Sequence, residues 1–261
     1  MRILALGDIV GSGGCGVVCK SLNDVKKKYN IDVCIANGEN SAVGNGILPS
    51  SANELFCYGV DLITTGNHVF RRKEIFPYID ERHDLLRPYN MHPSCPGNGI
   101  GIIDMGKYRI GVINLIGTAF FNSSYANPFD SLDAALEELE DCRIRIVDFH
   151  AESTGEKQAL AYYADGRVSA FFGTHTHVLT ADARILPKGT GYITDLGMCG
   201  ARESVLGVQP DIIIRALKTS MPEKFFAVDS GSMMMNGCIF EIDENSGKAT
   251  GAEPFCCEIN I

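Results

Sequence analysis

Short apolar runs, each stopped by polar residues, recur along the chain. "RILALGD" ends on Asp8, "DVCIANGEN" on Glu39 and Asn40, and "VDLITTGNH" on Asn67 and His68. "IRIVDFHAE" ends on His150 and Glu152, and "VSAFFGTHTH" on His175 and His177. Apolar, β-rich runs of this length predict strands, and "GVVCKSLNDVKKKY" and "SSANELFCYG" between the first three read as helices. Alternation of this kind predicts βαβ units with partly parallel pairing. Such sheets bind ligands outside the carboxyl ends of their strands. Five strand ends therefore bring Asp, Glu, Asn and His toward one edge.

Beyond residue 180, "GTGYITDLG", "KFFAVDSG" and "GCIFEIDENSGKATGAEPFCCEI" read as strands and turns, the last as a hairpin around "DENSGK". "PDIIIRALKT" reads as a helix, and the Pro- and Gly-rich "DERHDLLRPYNMHPSCPGNG" as loop. No repeat, low-complexity tract or linker divides the chain, which predicts one domain over residues 1–261. No heptad or exposed apolar stripe marks an interface.

Composition narrows the function. The chain is 45% hydrophobic and 21% charged, as a globular protein is. A net charge of −9 argues against a surface that wraps nucleic acid, which needs clustered Lys and Arg. An anionic substrate would require a local reversal of that field, and bound divalent metal supplies one. No signal peptide and no membrane-length apolar run is seen, so a cytoplasmic setting is expected. The ten scattered cysteines form no C-x-x-C and read as reduced thiols.

Four of the six histidines stand at the predicted strand ends; His83 and His92 lie in the loop. In an extended backbone His175 and His177 project to one side, about 6.5–7 Å apart. Each could then hold one of two metal ions about 3.5–4 Å apart. The donors are all oxygen and nitrogen, which suits Mn, Fe or Zn better than a Cys-rich zinc site. Each residue also has an ordinary reading: Asp8 as a helix cap, Asn40 and Asn67 as turn residues, Glu39 as a solvated charge, His150 as a bonded core residue. Those readings would have to coincide at five successive strand ends. "SAVGNGI" reads as a plain glycine loop, Arg71 and Arg72 as a solvent-facing helix start or phosphate contacts, and Glu152 as a surface residue or a neighbour of the site.

Asp8 in "GDIVG", "NGEN" at 37–40, "GNH" at 66–68, His150 in "DFHAE" and "GTHTH" at 173–177 resemble, in order, the metallophosphoesterase motif series. With "DGRVSAFFGTHTHV", "TADARILP" and "GYITDLGM", nearly the whole chain resembles the bacterial YmdB-like branch of the calcineurin-like superfamily. The resemblance implies a four-layer α/β/β/α sandwich, two mixed sheets flanked by helices, with a dinuclear metal centre at one edge. One ion would take Asp8, Glu39, Asn40 and His177; the other Glu39 as a bridge, Asn67, His150 and His175. His68 would be the acid beside them. Most of the superfamily has a histidine where Val10 stands and an aspartate in the second motif, and this branch shares both changes. The family often has an arginine where Thr118 stands, which bears on how substrate is held.

Two divalent ions bridged by a carboxylate lower the pKa of a bound water and clamp phosphate oxygens. Against Asp8 and Glu39 they leave a net charge of about +2 before hydroxide binds. The resemblance implies a phosphodiesterase acting on 3′,5′- and 2′,3′-cyclic nucleotides, with Fe or Mn, then Zn, as the metals, and a homodimer or tetramer. A phosphomonoesterase acting on nucleotides, and a slow metal-containing regulator of RNA levels and late-growth behaviour, remain as alternatives.

Overall fold

The computed structural model describes residues 1–261. Its first half runs β1 (Arg2–Leu6), β2 (Asp8–Ile9), α1 (Gly11–Tyr29), β3 (Val33–Asn37), α2 (Pro49–Cys57), β4 (Leu62–Thr64) and α3 (Ile75–Asp80). There follow β5 (Ile100–Asp104), β6 (Arg109–Ile116), α4 (Pro128–Glu138), β7 (Ile144–His150), α5 (Thr154–Ala164) and β8 (Ala170–Thr174). The remainder is β9 (Arg184–Ile185), β10 (Gly191–Ile193), β11 (Met198–Ala201), α6 (Pro210–Thr219), β12 (Ser232–Ile242) and β13 (Ala249–Asn260).

Two mixed sheets result. One is ordered β2-β11-β12-β1-β3-β4, with β13 also paired to β12; the second is β5-β6-β7-β8-β10-β9. Strand alternation sorts the apolar residues into three layers. Leu4, Leu6, Cys34 and Ala36 pack with Val18 and Leu22 of α1 and Leu55 of α2. Their neighbours Ile3, Ala5, Val33 and Ile35 face the other way, against Ile110, Ile144, Ile146 and Phe172 of the second sheet. Val147 and Phe171 turn outward onto Leu132 of α4 and Leu160 of α5. This is the α/β/β/α sandwich expected, with β1-β3-β4 and β6-β7-β8 parallel and their carboxyl ends at a common edge.

Along the facing surfaces the residue type changes toward that edge. Ile144 and Ile146 are followed on the same side by Asp148 and His150, Phe172 by Thr174, Ile35 by Asn37, and Leu62 by Thr64. All are buried. The inter-sheet core thus turns polar where the site begins.

The helices over "PDIIIRALKT" and within "GVVCKSLNDVKKKY" and "SSANELFCYG" form as read, as does the β12–β13 hairpin. "KFFAVDSG" does not make a strand. It contributes a single bridge, Val208 to Ala227, and leaves Phe225 and Phe226 exposed. The expectation of no exposed apolar stripe also fails. Helix α6 buries Ile212, whereas Ile214 and Leu217 are 56% and 80% exposed. No helix is long and apolar enough to cross a membrane.

One buried ion pair ties the outer helix layer to the functional edge. Lys157 of α5 reaches Asp195 at 2.6 Å, both side chains 1% exposed. Asp195 also accepts the amides of Thr176 (3.2 Å) and Gly197 (2.8 Å), one in each turn beside Asp8. Burial pushes the Asp195 carboxyl above its usual range despite the lysine beside it. Lys157→Met should therefore strand a buried charge and lower stability by about 3–5 kcal/mol. Urea unfolding followed by circular dichroism checks this, and a loss below about 1 kcal/mol, the level of an exposed pair, would contradict it.

Candidate metal centre

Asp8 owes its position to a step in the first sheet. β11 takes the edge of β12 at Met233–Met235 and β1 takes it at Gly237–Glu241, so the chain shifts at Gly7 to pair β2 with β11. A Cβ on Gly7 would lie 2.0 Å from the Gly197 carbonyl oxygen, so no larger residue fits the step. Asp8 then lies fully buried. It does not cap α1, whose N-cap is Val10 with no side-chain bond. Its Oδ2 accepts the His175 amide at 3.0 Å, and its Oδ1 is buried without a hydrogen-bond partner.

The structure brings all eight sequence-predicted residues to this point. Glu39 Oε1 lies 3.2 Å from His150 Nε2 and 3.4 Å from His68 Nδ1. Asn67 Oδ1 lies 3.0 Å and His175 Nδ1 3.1 Å from that same His150 Nε2. On the other side, His177 Nε2 stands 3.6 Å from Asp8 Oδ1 and 3.5 Å from Asn40 Nδ2. Ligand atoms of Glu39, His150 and His175 fall within 4.8 Å of one another.

The geometry of "GTHTH" differs from the expectation. β8 stops at Thr174, and His175 (φ 98°) and His177 (φ 64°) are left-handed, not alternating along a strand. The chain turns there because the His175 and Thr176 amides reach back to Asp8 and Asp195. Such backbone strain, of order 1–3 kcal/mol per residue, persists where surrounding contacts over-determine it.

The placement of hydrogens identifies what the cluster can bind. Thr174 Oγ1 gives its one hydrogen to Asp148 (2.8 Å), so it accepts from His150 Nδ1 (2.9 Å). His177 Nδ1 donates to the Leu206 carbonyl (3.3 Å), and His175 Nε2 to Glu152 (3.1 Å). All three rings therefore turn a lone pair inward, onto carboxylate and amide oxygens. Acceptors facing acceptors call for a positive charge between them, a metal ion or, at part of the cluster, protons. Asn40 points Nδ2 at Glu39 and Oδ1 at His68 (2.8 Å), and a half-turn of its amide would present oxygen to the same cation.

Titration follows the same field. Burial opposes charging His150, but Glu39 and Asp8 outweigh it and raise the ring to about 9. His177 is likewise raised against its burial by Asp8. Burial, aided by His150, takes His175 down to about 4. Burial also lowers His68, against the pull of Glu39. Glu39, although buried, is held below its usual range by His150.

A model of the YmdB-like protein family matches residues 4–255. The chain belongs to the YmdB-like family. A 2′,3′-cyclic-nucleotide 2′-phosphodiesterase of Bacillus subtilis (strain 168) is 43% identical over 254 residues, 97% of this chain and 96% of that one. A crystal structure described as a novel phosphatase of Mycoplasma pneumoniae superposes with TM-score 0.93 at 37% identity, covering 100% of this chain and 94% of that one. A hypothetical protein from Thermus thermophilus gives TM-score 0.92 at 37% identity over 99% of each chain.

Membership in the YmdB-like family implies divalent metal ions, and the inward lone pairs fit them. Asp148 and Glu156 of this YmdB-like edge escaped the sequence reading, whereas Glu152, Arg72 and Thr118 were named there with their contacts open. Asp148 accepts from Thr64, Thr174 and Asn37 and so sets the His150 tautomer. Its burial pushes the carboxyl up to about 6. Glu152 touches His175 and is half exposed. Arg72, half-buried, bonds the Val43 and Asn45 carbonyls and so holds the glycine loop at 43–46. Thr118 donates to Glu156 (3.0 Å) instead of facing the cluster. Gly66 is needed because a Cβ there would lie 2.2 Å from His150 Cδ2.

Thr174→Val, which keeps the shape but removes the acceptor for His150, should weaken metal retention about 10–100-fold. Gly66→Ala should do so at least as strongly. Metal content by mass spectrometry after dialysis against graded chelator measures both. Parental retention in either variant would show that the His150 ring is not held as argued.

Proposed function

We propose that this chain is a metal-dependent phosphodiesterase that hydrolyses cyclic nucleotides, 3′,5′ or 2′,3′, at a dinuclear centre. The observation that carries this reading is the convergence of side chains from five strand ends, with three ring lone pairs turned toward two buried carboxylates. The name of the Bacillus subtilis relative, a 2′,3′-cyclic-nucleotide 2′-phosphodiesterase, supports the substrate class. Asp8, Glu39, Asn40 and His177 would hold one ion, and Glu39, Asn67, His150 and His175 the other. Fe or Mn as the metals, Zn after them, a cytoplasmic setting and assembly into a dimer or tetramer belong to the same proposal. Bound there, two divalent ions supply an activated water and Lewis-acid stabilisation of charge on the phosphate.

The chain's own residues do the rest. The His175 amide fixes Asp8 through Oδ2 and leaves Oδ1 free to ligate. The His68 amide does the same for Glu39 Oε2 at 3.0 Å. With the Asn40 amide turned, Nδ1 of His68 accepts and the ring carries its proton at Nε2. His68 is 26% exposed, so a bound ester reaches it, and its Nε2–H would act as the acid by donating a hydrogen bond to the leaving oxygen as charge develops there. A phosphomonoesterase acting on nucleotides is the second reading, favoured by the description of the Mycoplasma pneumoniae structure as a phosphatase.

Metal-stripped protein should regain hydrolysis of bis-p-nitrophenyl phosphate on addition of Mn²⁺, Fe²⁺ or Zn²⁺. His175→Ala should lose metal and activity together, whereas His68→Ala should keep its metal and slow about 10²–10⁴-fold. Two ions bound per chain without turnover would defeat the proposal. 2′,3′-Cyclic AMP assayed beside 3′-AMP separates the diesterase from the monoesterase.

A further inference from the structure

Two clefts open from the candidate metal centre, and His175 and Glu152 line both. The first passes His68 toward Leu206, Val208 and Phe225, a wall with one aromatic ring. The second is lined by Phe120, Phe121 and Tyr125, with Arg71, Asn122 and Ser123 among them. Phe121 packs against the His175 ring at 5.0 Å and against Tyr125 at 6.1 Å, edge-on to the latter. Aromatic surface is thus continuous from the cluster to the rim.

Phe120 lies at that rim. It is 82% exposed, with the left-handed φ of 67°, a conformation unusual for a bulky residue. Packing does not account for it. The segment is nevertheless built in place at both ends. The Gly117 amide donates to the His150 carbonyl at 2.9 Å, and Thr118 is bonded through its amide and hydroxyl to Glu156. At the far end the Asn90 side chain donates to the Ala126 carbonyl, and the Ala126 amide returns to the Asn90 carbonyl. A fixed, strained and solvent-facing ring beside a candidate phosphate site suits a flat ligand.

We propose that the cleft of Phe120, Phe121 and Tyr125 is the nucleobase subsite, with the base stacked on Phe120 and its polar edge toward Asn122 and Ser123. This rests on the phosphodiesterase reading and extends it to the part of the substrate that does not react. Stacking on an aromatic side chain is worth about 1–3 kcal/mol per base and accepts any base. The subsite therefore selects nucleotides over base-free esters without choosing strongly among bases.

Two measurements test it. The chain has no tryptophan, so Phe120→Trp installs a single reporter at the rim. Its fluorescence should be quenched saturably by AMP and not by ribose 5-phosphate, with or without metal. Second, Phe120→Ala, at an exposed position where folding is not at stake, is compared with the parent on two cyclic esters. The ratio of kcat/KM for 2′,3′-cyclic AMP over glycerol 1,2-cyclic phosphate should fall about 5- to 100-fold. An unchanged ratio, or equal quenching by ribose 5-phosphate, overturns the subsite. If neither ester is hydrolysed by the metal-loaded parent, the phosphodiesterase reading fails, and the quenching data alone then decide whether a base binds.

Discussion

The buried carboxylate of Asp148 accepts from Thr64 and Asn37 of one sheet and from Thr174 of the other. An uncompensated charge at such depth would be far too unfavourable, so its donors must arrive together. Those donors sit at the ends of β3, β4 and β8, and fixing them fixes how the two sheets meet at the functional edge. The apolar layer below permits some sliding, because hydrophobic contact is non-directional. The Asp148 network does not. Through Thr174 it also decides which nitrogen of His150 bears the proton, so one set of bonds sets both the register of the sandwich and the ligand face of its most buried histidine.

The second constraint is closeness. The residues at this edge come from opposite sheets: Asp8, Glu39, Asn40, Asn67 and His68 from one, His150, His175 and His177 from the other. They meet only because glycine allows backbones to approach where any Cβ would collide, at Gly7 against Gly197 and at Gly66 against His150. The glycines of "LGD" and "GNH" serve that packing and bind nothing themselves.

Much of this was legible in the chain because strand ends announce themselves, an apolar run followed at once by a side chain able to bind metal. The same reading missed Asp148, although the run "IRIVDFH" contains the signal. Taken at period two, it alternates Ile144, Ile146, Asp148, His150 on one face, and a carboxylate on the side of a buried histidine must itself be paired. Treating the run as uniformly apolar hid it. Other features were beyond any local pattern. Whether Lys157 of a helix meets Asp195 of a distant turn depends on layer packing, and so does the contact of Glu152 with His175. The left-handed turn through "THTH" is set by amide bonds to Asp8 and Asp195, residues 167 and 19 positions away from the amides that bind them. "KFFAVDSG" has the composition of a strand, yet it pairs only through the single bridge of Ala227 to Val208.

A proton can stand in for a metal at part of this cluster, as the elevated His150 and His177 show, but its reach distinguishes the two. A hydrogen on His150 Nε2 points one way, and from that nitrogen Glu39, Asn67 and His175 lie 3.2, 3.0 and 3.1 Å off in an arc. One N–H satisfies a single member of that arc well and leaves the others as opposed lone pairs. An ion that accepts four or more donors satisfies them all. The arrangement is therefore expensive to hold for any purpose other than ligation: two buried carboxylates, three rings locked by outer bonds into inward-facing tautomers, and two strained backbone residues. Ordinary stability would be better served by apolar side chains at the same positions. Their persistence together at one edge is what a binding site for cations, and through them for an anionic ester, requires of an otherwise acidic chain.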